Sequence, residues 1–383
     1  VSDAGGGPDL VAPSGGATER LDFLDAIRGM AALWVMVFHL KIVLEGIGAS
    51  PLPIWLEPVG FGALGVSLFF VASAFSLFFA LARRKDRSSR KFYIRRFFRI
   101  APLFYVFTVL SCLGPDFGPP SDFFGRVLTA SFLFNLLPGY QIGAVYAGWS
   151  VGVEMVFYVL FPAIFLVVNT LERSVAAWIA AALLLWPLDA GLRWLMASYF
   201  SHLTRYPTFD LIFFARFLPV FMIGVIAFHG GFALKKLERS REIGAGLLLA
   251  ALLGLLAFFY LWRGDGLTEL ARTHLPWPLI EQSIIFGAFL VGLMNAPSRL
   301  LVNRFTCFLG TLSYSIYLVH LPLIMNFKPL YKSVLALSDD GGVQYIACAI
   351  LTFLVLIPVA GLTYVLIERP GIRLGRLMAD ALP

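Results

Sequence analysis

The chain has 383 residues, 59% apolar and 14% charged, with a formal net charge of +7 and a mean hydropathy of +0.83. Soluble domains are about 25% charged, so this composition excludes a water-soluble fold, and its apolar content excludes a disordered chain. Three cysteines, Cys112, Cys307 and Cys348, stand in apolar runs at unrelated spacings, which offers neither a disulfide framework nor a zinc site.

Residues 1–20 carry GGG, GG and two prolines and read as a disordered tail. Beyond them the sequence predicts an all-α polytopic membrane protein. Apolar stretches of about the length a bilayer core needs recur ten times, over roughly 22–44, 62–82, 97–113, 147–169, 176–194, 211–229, 244–262, 279–296, 309–328 and 343–367. Neither β-barrel alternation nor an internal repeat is visible. One transmembrane domain is therefore expected over 21–368, followed by a short basic cytoplasmic tail at 369–383. With segments alternating from the inside, twenty Lys and Arg fall inside and five outside, the other five lying in or at the edges of spans. This positive-inside bias predicts that both termini are cytoplasmic. It also accounts for the net charge without invoking nucleic acid.

Ionisable groups inside spans are expensive and mark function. The first span carries Asp25, Arg28 and His39. Arg28 and His39 are eleven residues apart, which places them within about 20° on one helical face and about 16 Å apart along the axis. Asp25 and Arg28, at i,i+3, also have the spacing of a plain salt bridge. In the second-to-third connection, nine basic residues and one acid, Asp86, lie between Arg83 and Arg99, ending Arg95-Arg96-Phe97-Phe98-Arg99-Ile100-Ala101-Pro102. Arg96 and Arg99 share a helical face, and paired guanidinium forks suit phosphates. Anchoring to anionic lipid explains the number of charges but not their spacing.

On the fourth span Ser150, Glu154 and Tyr158 form one stripe at i, i+4, i+8. Glu154 is expected at the depth of His39, where it would orient the imidazole or stabilise imidazolium. A Glu reaching for the interface is the plainer reading. Arg216 on the sixth span is a further buried charge. On the ninth, Ser313, Tyr317 and His320 align at i, i+4, i+7, with Tyr314 beside them. An aromatic belt explains the tyrosines but not the aligned Ser and His. Asp189, Arg193, His202, Arg205, Asp210, Arg263, Asp265, Arg272 and His274 fall near outer ends or outer loops, where sugar hydroxyls or simple hydration would suit them.

In this order the motifs resemble the acyltransferase 3 family of integral-membrane acyltransferases. The matching pieces are Leu24-Asp25-Ala26-Ile27-Arg28-Gly29 through His39 (an Arg-x10-His pattern), Gly65 to Phe75, Arg96 to Pro102, Trp149-Ser150 to Glu154 with Phe157-Tyr158 and Pro162, Ser313-Tyr314 to His320-Pro322, and Glu368-Arg369-Pro370. The chain departs from the pattern at Ser67, where Asp is common, and at Ala74, where Gly is common. Some relatives carry an SGNH-type domain after the last span. This chain ends about sixteen residues beyond its tenth span and is expected to lack it.

The resemblance implies O-acyl transfer, acetyl by default, from cytoplasmic acyl-CoA to a hydroxyl on a carbohydrate, glycolipid or lipid-linked sugar at the outer side of a bacterial inner membrane. Acetyl-CoA is then the expected co-substrate, with no metal; membrane lipid is the expected surroundings and nucleic acid is not a partner. On this reading Arg28, Arg95, Arg96 and Arg99 hold the donor, and His39 is the general base with Glu154 behind it. Ser313, Tyr314, Tyr317, His320 and Arg216 are candidates for oxyanion or acceptor contacts. Direct transfer and an acyl-His intermediate both fit. The same intramembrane groups would serve a proton-coupled secondary transporter, against which the missing repeat and the RxxR cluster weigh.

Overall fold

The computed structural model describes residues 21–84, 86–137, 139–199, 213–261 and 277–382. Residues 1–20, expected as a tail, lie outside them. The described residues form helices and no strand. The long helices are α1 (Asp22–Gly46), α2 (Leu64–Ala82), α3 (Ser89–Leu110), α5 (Trp149–Val167), α6 (Leu171–Tyr199), α7 (Phe214–Lys235), α8 (Ser240–Leu261), α9 (Trp277–Asn295), α11 (Ser313–Asn326) and α13 (Gly341–Thr363). Shorter ones are α4 (Phe123–Ala130), α10 (Arg304–Thr311), α12 (Lys328–Leu335) and α14 (Arg369–Asp380). Each of the ten expected spans falls on one of the long helices. Among the described residues, α1, α2, α5, α7, α8, α9 and the run from α13 into α14 are long and apolar enough to cross a bilayer. The bent pair α10–α11 makes an eighth when taken as one span. The protein is an all-α polytopic membrane protein.

Three local departures shape the site. First, α3 begins at Ser89 and not near residue 97, so Arg95, Arg96 and Arg99 are helical and do not end a loop. The Ser88 hydroxyl marks the start by accepting the Lys91 N–H at 3.5 Å. Second, the ninth expected span is broken: α10 and α11 meet at 72°, with Leu312 between them. Asn303 and Thr306 close a capping box that fixes where α10 starts. Third, residues 369–380 are a helix, joined to α13 through a π-helical turn at Tyr364–Glu368. Such turns recur at functional sites, and this one buries Glu368 to 2% exposure.

Close backbone approach holds the bundle around these breaks. A Cβ on Gly310 would lie 1.8 Å from the Asp25 carbonyl oxygen, so the contact between α1 and α10 requires glycine. A Cβ on Gly224 of α7 would lie 2.8 Å from Cβ of Ala74. Ala74, which stands where the family pattern has Gly, is therefore accommodated because its partner is a glycine. Ser67 is buried on the same helix. Between α2, α5 and α7 the core is aromatic: Phe157 stacks on Phe221 at 3.9 Å between ring centroids, and Phe221 stacks on Phe70 at 4.6 Å. By contrast α8 leaves Leu249, Leu252, Leu253 and Leu256 exposed, an apolar face suited to lipid.

Candidate active site

The arginine end is wired by hydroxyl groups. Arg28 Nη2 donates to Ser76 Oγ at 2.7 Å, and Asp25 lies 3.7 Å from Arg28 Nη1. Ser76 Oγ donates to the Ser73 carbonyl at 3.0 Å. Ser73 Oγ in turn donates to Glu154 Oε1 at 2.5 Å, and the Tyr158 hydroxyl reaches the same oxygen at 2.6 Å. The Arg96 guanidinium covers the rings of Phe92 and Tyr158, 5.8 and 5.6 Å from their centroids, in cation–π contact.

This geometry corrects the expected pairing of Glu154 with His39. The carboxylate hydrogen-bonds Ser73 and Tyr158, not the imidazole, and it is an electrostatic neighbour of Arg28 and Arg96. The physical reason is that a carboxylate inside an apolar bundle needs donors and positive charge. Here α2 and α5 supply two hydroxyls, and α1 and α3 supply the cations. Ser73 and Ser76 were not singled out in the sequence. Their signal is faint: two serines at i,i+3 on an apolar helix that also carries Ser67.

Outside the bundle, the single acid of the basic stretch is already engaged. Lys91 lies 2.8 Å from Asp86 and the Ser88 N–H donates to it at 2.9 Å. Together they hold the Asp86 carboxyl below the usual carboxylate range. Arg95 is 3.4 Å from Asp380. Arg96 and Arg99 face an interior cavity that they share with Arg28, Ser73, Glu154 and Tyr158. The cavity continues to Ser150, Ser313, Tyr314 and Tyr317. It thus joins the expected donor residues to Ser150 on α5 and to Ser313 and Tyr317 on α11, and its lining stops short of His39 and His320.

The tyrosines at its far wall are occupied. The Tyr314 hydroxyl donates to the Ile100 carbonyl at 2.8 Å, tying α11 to α3. The Tyr317 hydroxyl donates to the Ala147 carbonyl at 3.0 Å and lies 2.6 Å from Ser150 Oγ. Arg216 is buried in the first turn of α7 and is not among the residues lining this cavity.

Beyond Tyr317 lie two histidines in contact. His320, fully buried, has Nδ1 2.6 Å from the Tyr317 carbonyl and Nε2 3.1 Å from His39 Nδ1. His39 Nδ1 is also 3.0 Å from the Val35 carbonyl. A carbonyl only accepts, so each Nδ1 carries the hydrogen. His320 Nε2 is then an acceptor for His39 Nδ1–H. It follows that neutral His39 has its lone pair on Nε2. The partner of His39 is thus His320, placed in the sequence among acceptor contacts.

A family profile described as an acyltransferase domain matches residues 21–366. The chain belongs to the acyltransferase 3 family. Similar relatives are the peptidoglycan O-acetyltransferase OatA of Listeria monocytogenes, 24% identical over 91% of this chain and 55% of its own length, and the acyltransferase MdmB of Streptomyces mycarofaciens, 28% identical over 93% and 92%. Nodulation protein 10 of Rhizobium leguminosarum bv. viciae is 25% identical over 91% and 93%. The chain spans about half the length of the Listeria relative. No solved structure matches. Of the groups expected to serve an acceptor from the outer loops, Asp189 and Arg193 are on α6, while His202, Arg205, Asp210, Arg263, Asp265, Arg272 and His274 lie outside the described residues.

Proposed function

We propose that this acyltransferase 3 protein moves an acyl group, acetyl by family default, from acyl-CoA to a hydroxyl of a carbohydrate, glycolipid or lipid-linked sugar. The donor binds from the cytoplasm at the arginine end and the acceptor meets His39 toward the outer side of a bacterial inner membrane. Arg96 and Arg99 face the donor phosphates, and the uncharged thioester arm runs past Arg28 into the cavity. One observation carries this reading: on the helix that also carries Arg28, His39 Nδ1 lies against the Val35 carbonyl and His320 Nε2, which leaves Nε2 as the basic nitrogen of the neutral ring. The likeness to a peptidoglycan O-acetyltransferase supports the chemistry.

As the acceptor oxygen attacks the thioester carbonyl, its proton passes to His39 Nε2. The imidazolium formed keeps its Nδ1–H on His320 Nε2 and the Val35 carbonyl, two neutral acceptors that stabilise the cation without a carboxylate. Collapse of the tetrahedral intermediate breaks the C–S bond, and the CoA sulfur takes the proton back from His39. An acyl-His39 variant would use the same Nε2 as nucleophile.

The test is sided. Sealed vesicles with the arginine end outward receive labelled acetyl-CoA, and a carbohydrate acceptor is placed in the lumen. Hydroxylamine-labile label on the lumenal acceptor is the expected result. Label appearing only on an acceptor outside the vesicles would overturn the proposed passage across the membrane.

A further inference from the structure

Helix α14 has three faces, roughly 120° apart at 100° per residue. Gly371, Gly375 and Ala379 are buried and pack on α3, where a Cβ on Gly371 would lie 2.7 Å from the Phe98 carbonyl oxygen and one on Gly375 2.6 Å from Phe98 Cβ. Leu374, Leu377 and Met378 are exposed on the second face. Arg369, Arg373 and Arg376 make the third and line a cleft of about 450 Å³ with Arg28 and Arg99. The cleft holds two carboxylates, and both are engaged: Asp25 lies beside Arg28, and Glu368 accepts the Ser315 hydroxyl at 2.8 Å. The three α14 arginines have no carboxylate or hydrogen-bond partner among the described residues. Arg99 and Arg376 also border a second cleft, which contains Arg84, Arg95 and Arg96.

Two guanidinium sets therefore meet at Arg99 and Arg376, each built to take an anion. A ligand filling both would carry phosphate at two separated points. We propose that α14 forms a second phosphate subsite of the donor site, in which Arg373 and Arg376 hold the ribose 3′-phosphate of acyl-CoA while Arg96 and Arg99 face its diphosphate. This rests on the donor reading above. The guanidinium groups converge on a cleft shared with Arg28 and Arg99, which suits a ligand that enters between the helices.

The experiment measures binding of acetyl-CoA and of acetyl-dephospho-CoA, which lacks the 3′-phosphate, to protein in phosphatidylcholine nanodiscs. Wild type is expected to prefer acetyl-CoA by about tenfold or more. In R373Q/R376Q that preference is lost because acetyl-CoA alone weakens, while R96Q weakens both ligands. An R373K/R376K variant keeps part of the preference, and unchanged melting temperatures show that α14 stays packed. Preference retained in R373Q/R376Q, or both ligands weakened equally, overturns the second subsite and leaves the donor reading standing. Failure of wild type to bind either ligand overturns the donor reading, and the subsite with it. A melting temperature that phosphatidylglycerol raises in wild type but not in R373Q/R376Q, with the nucleotide preference intact, assigns α14 to lipid headgroups and overturns the proposal.

Discussion

Nε2 of His320 sits 3.1 Å from Nδ1 of His39, across the contact between α11 and α1. The Tyr317 carbonyl fixes the tautomer of His320, and His320 then helps fix that of His39. On the proposed function the base is positioned through a second histidine and two backbone carbonyls, with no carboxylate in that hydrogen-bonded run.

The proposed function makes His320 a positioning residue. His320→Ala should lower kcat about tenfold to a hundredfold, within the range of general-base effects, with the acetyl-CoA KM unchanged. His320→Asn, whose amide oxygen can accept from His39 Nδ1–H, should recover part of the loss. Equal loss in both variants together with a raised KM would assign His320 to packing. Steady-state kinetics on the two variants decides this.

Glu154→Gln separates charge from hydrogen bonding. The amide oxygen still accepts from Ser73 and Tyr158, but the negative charge beside Arg28 and Arg96 is gone. The expected outcome is a stability cost of about 1–3 kcal/mol, read as a lower melting temperature, with the acid limb of the pH–rate profile in place. Movement of that limb would show that Glu154 acts on His39 after all.

Arg96 offers both charge and a planar surface to Phe92 and Tyr158. Arg96→Ala should raise the KM for acetyl-CoA about tenfold or more. Arg96→Lys should rescue it only in part, because an ammonium loses the planar fork. Full rescue by lysine, measured by CoA titration, would reduce the role to net charge.

The surroundings of two glycines make opposite forecasts. Gly310→Ala drives a Cβ toward the Asp25 carbonyl and should cost about 1–3 kcal/mol or more. Gly361→Ala, in α13 with nothing within 4 Å of the added atom, should stabilise by about 0.5–1 kcal/mol. Thermal unfolding in one detergent compares the pair directly.

Helix positions were legible because apolar runs of membrane length admit one secondary structure, and all ten expected spans fall on helices. The break at Leu312 was not legible, since no proline marks it and the apolar run reads straight through. Arg28 and His39 could be placed on one face because both sit on the same helix. Glu154 could not, because its position depends on which hydroxyls of α2 face α5. The partnership of His39 and His320 is likewise tertiary: 281 residues separate them. The basic end residues 369–380 registered as charge alone, and the alternation of glycine, leucine and arginine faces became meaningful only once α3 lay beside them.

On the proposed function, His39 performs chemistry on a donor held by the arginines. The most direct measurement of this is release of free CoA from acetyl-CoA by purified protein in nanodiscs with a carbohydrate acceptor, wild type beside His39→Ala and Arg96→Ala. Wild type is expected to release CoA, and His39→Ala to lose about 10²–10⁴-fold of that release with donor binding retained. Arg96→Ala should lose donor affinity and recover release at high acetyl-CoA. Release at the wild-type rate in His39→Ala would rule out His39 as the base.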